Sequence, residues 1–518
     1  MMKFKGKVLT SVVSIALTGA VAGLVATSCS SKIDPYSVDL SIDPTGATIK
    51  FWTPFGSAIN TVLDGMIEEF TEKTGINVVV EEKSGYDNLK KAISLAATSG
   101  QYPNVTVGYP DHFVEYVTSD IIVRLDYYFA NDSKAFGEYP VSITDYYQDY
   151  MVENQSIEYD LDGKGYTLGI PFNKSSEIMI YNETFFEYAM VVDPTIEIPT
   201  TWAEVASVGP KIKTVIEPAC GKVIGNNYQI YDDDLHYPTG VTTFLDLRET
   251  EYDSFRPIAY DSQANLFISA MRNWGSKYTE RASMTSNKGY VVYNETDTKD
   301  KTKEAMQTFR DLYAAGILGV PKTWQETSYS SNVFKNVECV MTIGSTAGVG
   351  NDAPAGGKFT TLSAPVPYND ASVGKNVISQ GTNLCMLDTG TAKERCATWL
   401  FMKYFSKFAN AEFCSQTGYF PSCSYAEEST VYQDFINRTG RMTESEKIQI
   451  AAAKTNSSIY LNESEGWTKF VDTPFDGSAY IRENIETIPT RTMFETTDLQ
   501  TILDESYLAF DPYGYVKH

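Results

Sequence analysis

Residues 48–81 read TIKFWTPFGSAINTVLDGMIEEFTEKTGINVVVE, and the pattern of this stretch decides the fold. Residues 48–52 predict a strand, because β-branched and aromatic side chains favour extended backbone. Apolar residues then recur at helical spacing over 59–70 and stop at Gly75, which predicts a helix that ends at a glycine. The Val-rich stretch 77–81 predicts a second strand.

The same alternation continues in the next part of the chain. Residues 86–97 carry apolar side chains on one helical face, and residues 105–107 predict a third strand. Strand, helix, strand, helix and strand in this order require parallel strands joined by crossover helices. Ligands then bind beyond the carboxyl ends of the strands, so the loops 53–57 and 108–112 are candidate binding loops.

Further elements follow downstream. Residues 167–181 form an apolar strand with a polar centre. Helical spacing covers 301–315, and the apolar segment 392–408 predicts a deeply buried helix. Residues 217–261 are acidic and aromatic without a clear period, so they are interpreted as a surface insertion. The acidic run 232–234 is more typical of a solvated face than of a calcium site, although calcium binding stays open.

The N-terminal segment has the features of a secretory signal. Three lysines precede an apolar run over 8–25, and small residues then lead to Cys29. We expect the mature protein outside the cytoplasm. The position of Cys29 is similar to that in the bacterial lipoprotein signal, in which residues 1–28 are removed and the thiol receives a diacylglycerol. Residues 29–46 are then expected to form an extended tether. A plain secreted protein and an uncleaved membrane anchor stay open.

Length and charge restrict the class of protein. A chain of 518 residues that is 42% hydrophobic can bury more than one core, which favours two lobes. Its 66 acids and 42 bases give a formal charge of −24 at pH 7. This excess argues against nucleic acid or an anionic membrane surface as a partner, because both need Lys and Arg to neutralise phosphates.

The sequence contains no standard catalytic or metal-binding signature. Its three histidines lack the short spacing that binds zinc, and its cysteines form no CxxC pair. We therefore expect neither a metal nor a cofactor. A glycoside hydrolase needs only two carboxylates and no local motif, so that class stays open. Free thiols are favoured at Cys414 and Cys423, but a disulfide between them also stays open.

Seven strings occur along the chain in a characteristic order. They are IPFNKSSEIMIYN (170–182), IPTTWAEV (198–205), VECVMTIGSTAG (337–348), ISQGTNLCML (378–387), ATWLFMKYF (397–405), TGYFPSCSYA (417–426) and TPFDGSAYIR (473–482). Together they resemble the extracellular solute-binding proteins of ABC importers, family 1, which includes the maltose-binding and glycerol-3-phosphate-binding proteins. The resemblance extends from Thr48 to about Arg482.

The resemblance implies an α/β, two-lobed periplasmic-binding-protein-like fold (type II) with interlaced lobes joined by hinge strands. It places 47–170 and 358–410 in lobe 1, and 171–357 and 411–518 in lobe 2. The implied function is a monomeric, lipid-anchored receptor that captures a carbohydrate or glycerol-3-phosphate-like solute and delivers it unchanged to an ABC permease. A secreted glycoside hydrolase and a surface adhesin lipoprotein are the alternatives.

The resemblance also implies a set of ligand contacts. They are Tyr86, Asp111, Ser175, Ser176, Trp202, Ser345, Gly381, Tyr419 and Arg482, and Thr346 lies in the same polar loop as Ser345. Tyr419 and Arg482 are the strongest candidates, since a guanidinium can bind either a phosphate or two sugar hydroxyls. Packing in the core is favoured for Trp202. A helix cap at Asp111 and a turn at Gly381 are structural alternatives.

Overall fold

The computed structural model describes residues 34–216, 255–326 and 329–517. The expected signal segment 1–28, Cys29 and the acidic run 232–234 lie outside the described residues. The strands are β1 Thr48–Thr53, β2 Asn77–Glu82, β3 Val105–Gly108, β4 Ile170–Asn182, β5 Ile258–Tyr260, β6 Thr279–Arg281, β7 Gly289–Val291, β8 Leu318–Gly319, β9 Met341–Ser345, β10 Thr361–Ala364, β11 Lys375–Met386 and β12 Trp467–Phe470.

Helices cover both faces of the sheet. They are α1 Ser57–Thr74, α2 Tyr86–Ala97, α3 Pro110–Thr118, α4 Asp126–Asn131, α5 Gln148–Gln155, α6 Glu183–Val192, α7 Trp202–Ile216, α8 Gln263–Asn273, α9 Lys299–Ala314, α10 Ser331–Lys335, α11 Ala392–Lys403, α12 Asn410–Thr417, α13 Ser424–Glu427, α14 Thr430–Ile436, α15 Glu444–Thr455, α16 Ser478–Ile485, α17 Thr487–Phe494 and α18 Leu499–Leu508.

The first five elements have the alternation that the sequence predicts. β1 lies between β2 and β3 and pairs with both in parallel. α1 buries Leu63, Met66, Ile67 and Phe70 and ends at Gly75, which adopts φ 67°. This left-handed conformation is accessible to glycine at little cost, so the glycine ends the helix as expected.

The main sheet is shared by two lobes. Its strands follow the order β2-β1-β3-β11-β4-β9-β5-β8, with β10 beside β4 and β12 beside β11. β4 contributes Phe172 to a first hydrophobic core and Ile178 to a second, and the antiparallel β11 contributes Leu384 to the first core and Ile378 to the second. We call the elements around these cores lobe 1 and lobe 2. β4 and β11 are the strands that join them.

Two segment boundaries differ from the expected ones. Residues 358–378 belong to lobe 2, since Phe359 lies in the second core and β10 pairs with β4 there. Residues 411–436 belong to lobe 1, where Phe413 stacks on Phe172 with ring centroids 4.6 Å apart. α15 then contributes to both cores, so the chain passes between the lobes a third time at this helix.

The N-terminal part of the described chain is not a free tether. Val38 and Leu40 are buried in the first core. The Tyr127 hydroxyl donates a hydrogen bond to the Val38 carbonyl at 3.0 Å. The folded body therefore begins before Thr48, because these two apolar side chains gain more by packing on lobe 1 than by staying in water.

The remaining structural expectations concern thiols, membrane spans and metals. Cys414 and Cys423 are buried free thiols, so no disulfide joins them. Over the described ranges, none of the helices combines the length and the apolarity that a membrane crossing requires. Within these same ranges, no group of three or more His, Cys, Asp and Glu side chains has an arrangement that could hold a metal ion.

Gly381 provides a test of how tightly β4 and β11 are packed. Its φ is 85°, and a Cβ atom added there would lie 1.9 Å from the Asn173 carbonyl oxygen. Gly466 also has a positive φ of 70° but faces open space, so it is a matched control. We expect Gly466→Ala to cost about 1–2 kcal/mol, the penalty for a left-handed alanine. Gly381→Ala should lower the free energy of unfolding, measured by thermal denaturation, clearly more than Gly466→Ala does. Equal losses of stability in the two variants would contradict the observed packing.

Candidate functional site

A polar cavity lies between the lobes where β4 and β11 pass from one to the other. This central cavity has a volume of about 370 Å³. It is lined by Tyr86, Tyr109, Ser175, Asp261, Tyr329, Ser331, Ser345, Ala347, Gly348, Asn351, Asp352, Gln380, Gly381 and Tyr419. Both lobes and the joining strands contribute to this lining, so a molecule bound there would contact all three.

The lobe 1 wall of the central cavity is aromatic. The ring centroids of Tyr86 and Tyr109 are 5.1 Å apart, and the hydroxyls of Tyr86 and Tyr419 are 3.4 Å apart. α12 ends at Gly418 with φ 79°, and Tyr419 then stacks on Phe413 at an interplanar angle of 12°. Burial raises the pKa of Tyr86 and of Tyr419. Both hydroxyls therefore stay protonated and can donate hydrogen bonds.

The lobe 2 wall of the central cavity carries two carboxylates. Asp261 follows β5, and its Oδ1 accepts a hydrogen bond from the Ser330 backbone N–H at 2.7 Å. Asp352 is 6% exposed, and its Oδ1 accepts no hydrogen bond from any described residue. Burial, and to a smaller extent the charge of Asp261, raises the pKa of Asp352 to about 7. Asp352 therefore titrates near neutral pH.

A small cavity adjoins the central cavity. This arginine cavity of about 30 Å³ is lined by Tyr109, Pro110, Asp111, Glu153, Ser379, Gly381, Val471, Asp472 and Arg482. Arg482 Nη1 donates to Asp472 Oδ2 at 2.9 Å, and Nη2 donates to Asn265 Oδ1 at 3.0 Å. The guanidinium of Arg482 is thus already paired within the protein, and a solute could bind it only in competition with Asp472.

Lys174 lies on β4 at the passage between the lobes but lines none of these cavities. Its ammonium pairs with Glu153 and donates to the Gly381 carbonyl oxygen at 3.1 Å. Burial lowers the pKa of Lys174 and raises that of Glu153, while their mutual attraction opposes both shifts. Removing one partner would leave an uncompensated buried charge, so this pair ties lobe 1 to the joining strands.

A larger cavity lies on another side of the central one. This amide cavity of about 430 Å³ is lined by Gly56, Ser57, Ala58, Ile59, Ala347, Gly350, Asn351, Gln416, Thr417, Ser445 and Gln449. It shares Ala347 and Asn351 with the central cavity. Amide and hydroxyl groups supply its polar lining, and none of the described residues that line it is charged.

Seven of the nine candidate residues line the central or the arginine cavity. They are Tyr86, Asp111, Ser175, Ser345, Gly381, Tyr419 and Arg482. Ser176 is fully buried, and its backbone N–H donates to Thr346 Oγ1 at 3.2 Å. Trp202 packs in the second core with its ring 4.9 Å from that of Phe309. These two side chains lie outside the cavities, and the packing alternative for Trp202 describes its position.

Sequence reasoning overlooked several lining residues. Tyr109 lies in the candidate binding loop 108–112, and Gln380 precedes Gly381. The sequence places Asp261 in a surface insertion over 217–261, but residues 258–260 form the buried strand β5 of the main sheet, so the interpretation is wrong for this part. Asp261 follows β5 at the strand end where ligands bind in this architecture. Asp352 carries no local signal, because it ends a short 3₁₀ helix, Val349–Asp352, and the packing of this helix on α15 and α10 places it at the cavity.

An α/β fold with two lobes, two joining strands and a polar cavity between the lobes defines the class of solute-binding proteins. A family model described as bacterial extracellular solute-binding protein matches residues 65–439. The chain belongs to this family, which confirms the resemblance found in the sequence. The extracellular character of the family also supports a location outside the cytoplasm.

Individual relatives agree with this assignment. The sn-glycerol-3-phosphate-binding periplasmic protein UgpB of Pectobacterium atrosepticum is 22% identical over 401 residues, which cover 75% of this chain and 76% of the relative. The crystal structure of UgpB from Mycobacterium tuberculosis in complex with glycerophosphocholine has a TM-score of 0.63 at 15% identity, covering 90% of this chain and 99% of that one. The sugar-binding protein MalE from Xanthomonas citri has a TM-score of 0.60 at 16% identity, with coverages of 90% and 97%. The expected fold class is confirmed.

Asp352 should make the stability of the unliganded protein depend on pH. Its pKa rises from 3.8 to about 7 on folding, so the folded state binds an extra proton between these values. The contribution of Asp352 to stability is therefore full below about pH 4 and is lost as pH rises towards 7. Asp352→Asn should remove this loss of stability at higher pH. The difference between the melting temperature of the variant and that of the unmodified protein should therefore increase from pH 4 to pH 8. A constant difference across this pH range would contradict the assignment.

Proposed function

We propose that this chain captures a small polyhydroxylated solute outside the cytoplasm and delivers it unchanged to the membrane permease of an ABC importer. The observation that carries this proposal is the central cavity, whose walls belong to both lobes. A solute that contacts both walls stabilises the closed arrangement of the lobes, and such closure is a hinge motion in proteins of this architecture. The passage of β4 and β11 between the lobes is the natural hinge.

The lining of the cavities favours a carbohydrate over a glycerol-3-phosphate-like solute. Aromatic rings pack against the C–H faces of sugars. Carboxylates accept hydrogen bonds from sugar hydroxyls, and amides both accept hydrogen bonds from them and donate hydrogen bonds to them. A phosphate monoester instead requires positive charge, usually from Arg or Lys. Among the described residues that line the three cavities, Arg482 is the sole base, and it is paired with Asp472.

The size of the site supports a solute larger than glycerol phosphate. The central cavity of about 370 Å³ and the adjoining amide cavity of about 430 Å³ share two lining residues. Ligand sites of about 300–1,000 Å³ accommodate molecules of drug size. The combined space supports a solute with more than one sugar ring, with one ring beside the tyrosines and the next among the amide groups.

We also propose that the solute leaves the site intact. A glycoside hydrolase flanks the scissile bond with two carboxylates about 5–10 Å apart. Asp261 and Asp352 both line the cavity from lobe 2, and Asp261 Oδ1 already accepts a hydrogen bond from the Ser330 backbone N–H. On the lobe 1 side, Glu153 is paired with Lys174, and Asp111 lines a cavity of only about 30 Å³. This arrangement favours binding over hydrolysis.

Contacts at the rim of the cleft would hold the closed state. Lys90 Nζ of lobe 1 lies 2.8 Å from Glu483 Oε1 of lobe 2. Arg281 of lobe 2 donates to the Ser156 carbonyl at 2.8 Å and to the Ile157 carbonyl at 2.6 Å in lobe 1. The Lys90 side chain is buried, but that of Glu483 is 32% exposed, so solvent still screens this ion pair. We propose that these rim contacts support closure and that the solute supplies most of the free energy.

Calorimetric titration of the purified protein with neutral mono- and oligosaccharides and with glycerol phosphates tests this function. We expect one saccharide class to bind at one site per chain, to raise the melting temperature and to be recovered unchanged. Tyr419→Phe should weaken this binding by about three- to tenfold, because it removes one hydroxyl from the cavity while keeping the stacked ring. Its unliganded melting temperature should change little.

Tyr425→Phe is the matched control, since Tyr425 is 52% exposed and lies outside the three cavities. This variant should bind like the unmodified protein. Binding of glycerol phosphates in preference to every saccharide would contradict the proposed solute class. Release of cleaved saccharide would contradict the receptor function itself.

We further propose that the chain is a monomer attached to the outer face of the cell membrane through Cys29. The lysines, the apolar run and the small residues before Cys29 support this proposal. Cys29→Ser in a bacterial host should move the protein from the membrane fraction to the soluble fraction. Mass spectrometry should then show the loss of the lipid mass. Retention of the serine variant in the membrane would contradict a lipid anchor at this position.

A further inference from the structure

We propose that the solute carries a positively charged nitrogen beside its hydroxyl groups, as an amino sugar does, and that Asp352 and Asp261 hold this nitrogen. The inference rests on the proposed function, because it names the class of carbohydrate that the central cavity takes. It follows from the charge of the cavity, from one carboxylate oxygen without a hydrogen-bond partner and from the four tyrosines that line the cavity.

The charge of the central cavity is unbalanced. Its described lining contains two acids, Asp261 and Asp352, and no base. Burial raises the pKa of both carboxyl groups. Asp261 and Asp352 line one small space in which both lose hydration, and the charge of Asp261 disfavours the ionised form of Asp352. A cation between them removes this conflict, whereas a neutral solute leaves it in place.

One carboxylate oxygen in the cavity has no partner. Asp352 is 6% exposed, and its Oδ1 accepts no hydrogen bond from any described residue. By contrast, Asp261 Oδ1 accepts hydrogen bonds from the backbone N–H and the hydroxyl of Ser330. The Asp352 carboxylate has one hydrogen-bond partner, the Ser331 hydroxyl, and its Oδ1 is enclosed. Because a buried carboxylate oxygen without a donor is costly, a ligand that donates to Oδ1 when the lobes close on it would stabilise the site. An ammonium group supplies both the donor and the compensating charge.

The tyrosines suit the same ligand. Tyr86, Tyr109 and Tyr419 line the cavity from lobe 1, and Tyr329 lines it from lobe 2. The negative faces of aromatic rings attract a cation within about 6 Å, and this attraction strengthens when the cation is desolvated. Tyr329 is 68% exposed, so it can move against a bound solute. The carboxylates of lobe 2 and the tyrosine rings of both lobes together favour an amine over a phosphate or a neutral alcohol.

Pairs of sugars that differ in the presence of an amino group separate the effect of charge on affinity from the effect of shape. We propose titration with glucose and glucosamine, galactose and galactosamine, and N,N′-diacetylchitobiose and its deacetylated form, with N-acetylglucosamine as a neutral amide. The amine of at least one pair should bind at least about tenfold more tightly than its neutral partner. Binding of neutral sugars with equal or higher affinity would overturn this inference and leave the proposed function standing. Absence of binding by every saccharide would overturn both.

Charge-neutral variants locate the nitrogen. Asp352→Asn keeps the shape of the side chain and should lower the affinity for the amine at least tenfold, while changing the affinity for the neutral partner less than threefold. Asp434→Asn is the matched control, because it removes the same charge from the exposed face of α14. The melting temperature of unliganded Asp352→Asn at pH 8 shows whether this variant folds. It should be no lower than that of the unmodified protein. Equal losses for the amine and its neutral partner would place the nitrogen elsewhere and overturn the assignment.

Discussion

The passage of β4 and β11 between the lobes is the constraint on which the rest of the structure depends. Each strand gives one half to the first core and the other half to the second, so neither lobe can form its sheet without them. Their close approach requires Gly381, since a side chain there would overlap the backbone at Asn173. The buried pair of Lys174 and Glu153 fixes the same place from the lobe 1 side.

This constraint also explains where the site lies. The central part of β4 is buried and that of β11 is partly buried between the two cores, but both border the central cavity, so their polar side chains can bind a solute there. Ser175 and Gln380 occupy that part of β4 and β11 and face the central cavity. The loops that follow the parallel strands of lobe 1 bring their tyrosines to the same place, as the architecture requires.

The electrostatics of the cleft distinguish structural charges from functional ones. Lys174 and Glu153 are buried, but each compensates the other, and Arg482 is paired with Asp472 in the same way. Asp352 is buried with weaker compensation, from a Ser331 hydrogen bond and the charge of Lys335, and burial outweighs both, so its pKa lies near 7. Groups that cost stability in the unliganded protein cluster at binding sites, because a ligand can compensate what the fold does not. This contrast makes Asp352 more informative about the solute than the better-paired Arg482.

The sequence by itself determined the alternation of strands and helices in lobe 1, the family, and seven of the residues that line the cavities. These features are local or occur in fixed strings, as at Gly75, which ends α1, and at Tyr419, which follows a helix-ending glycine. Only the tertiary structure decided the lobe to which 411–436 belongs, the burial of Val38 and the pairing of Lys174. It also decided that Trp202 packs in a core and that Asp352 lies in the cavity. These outcomes depend on contacts between residues far apart in the chain, and hydrophobic spacing along the sequence carries no information about which distant surface a side chain will meet.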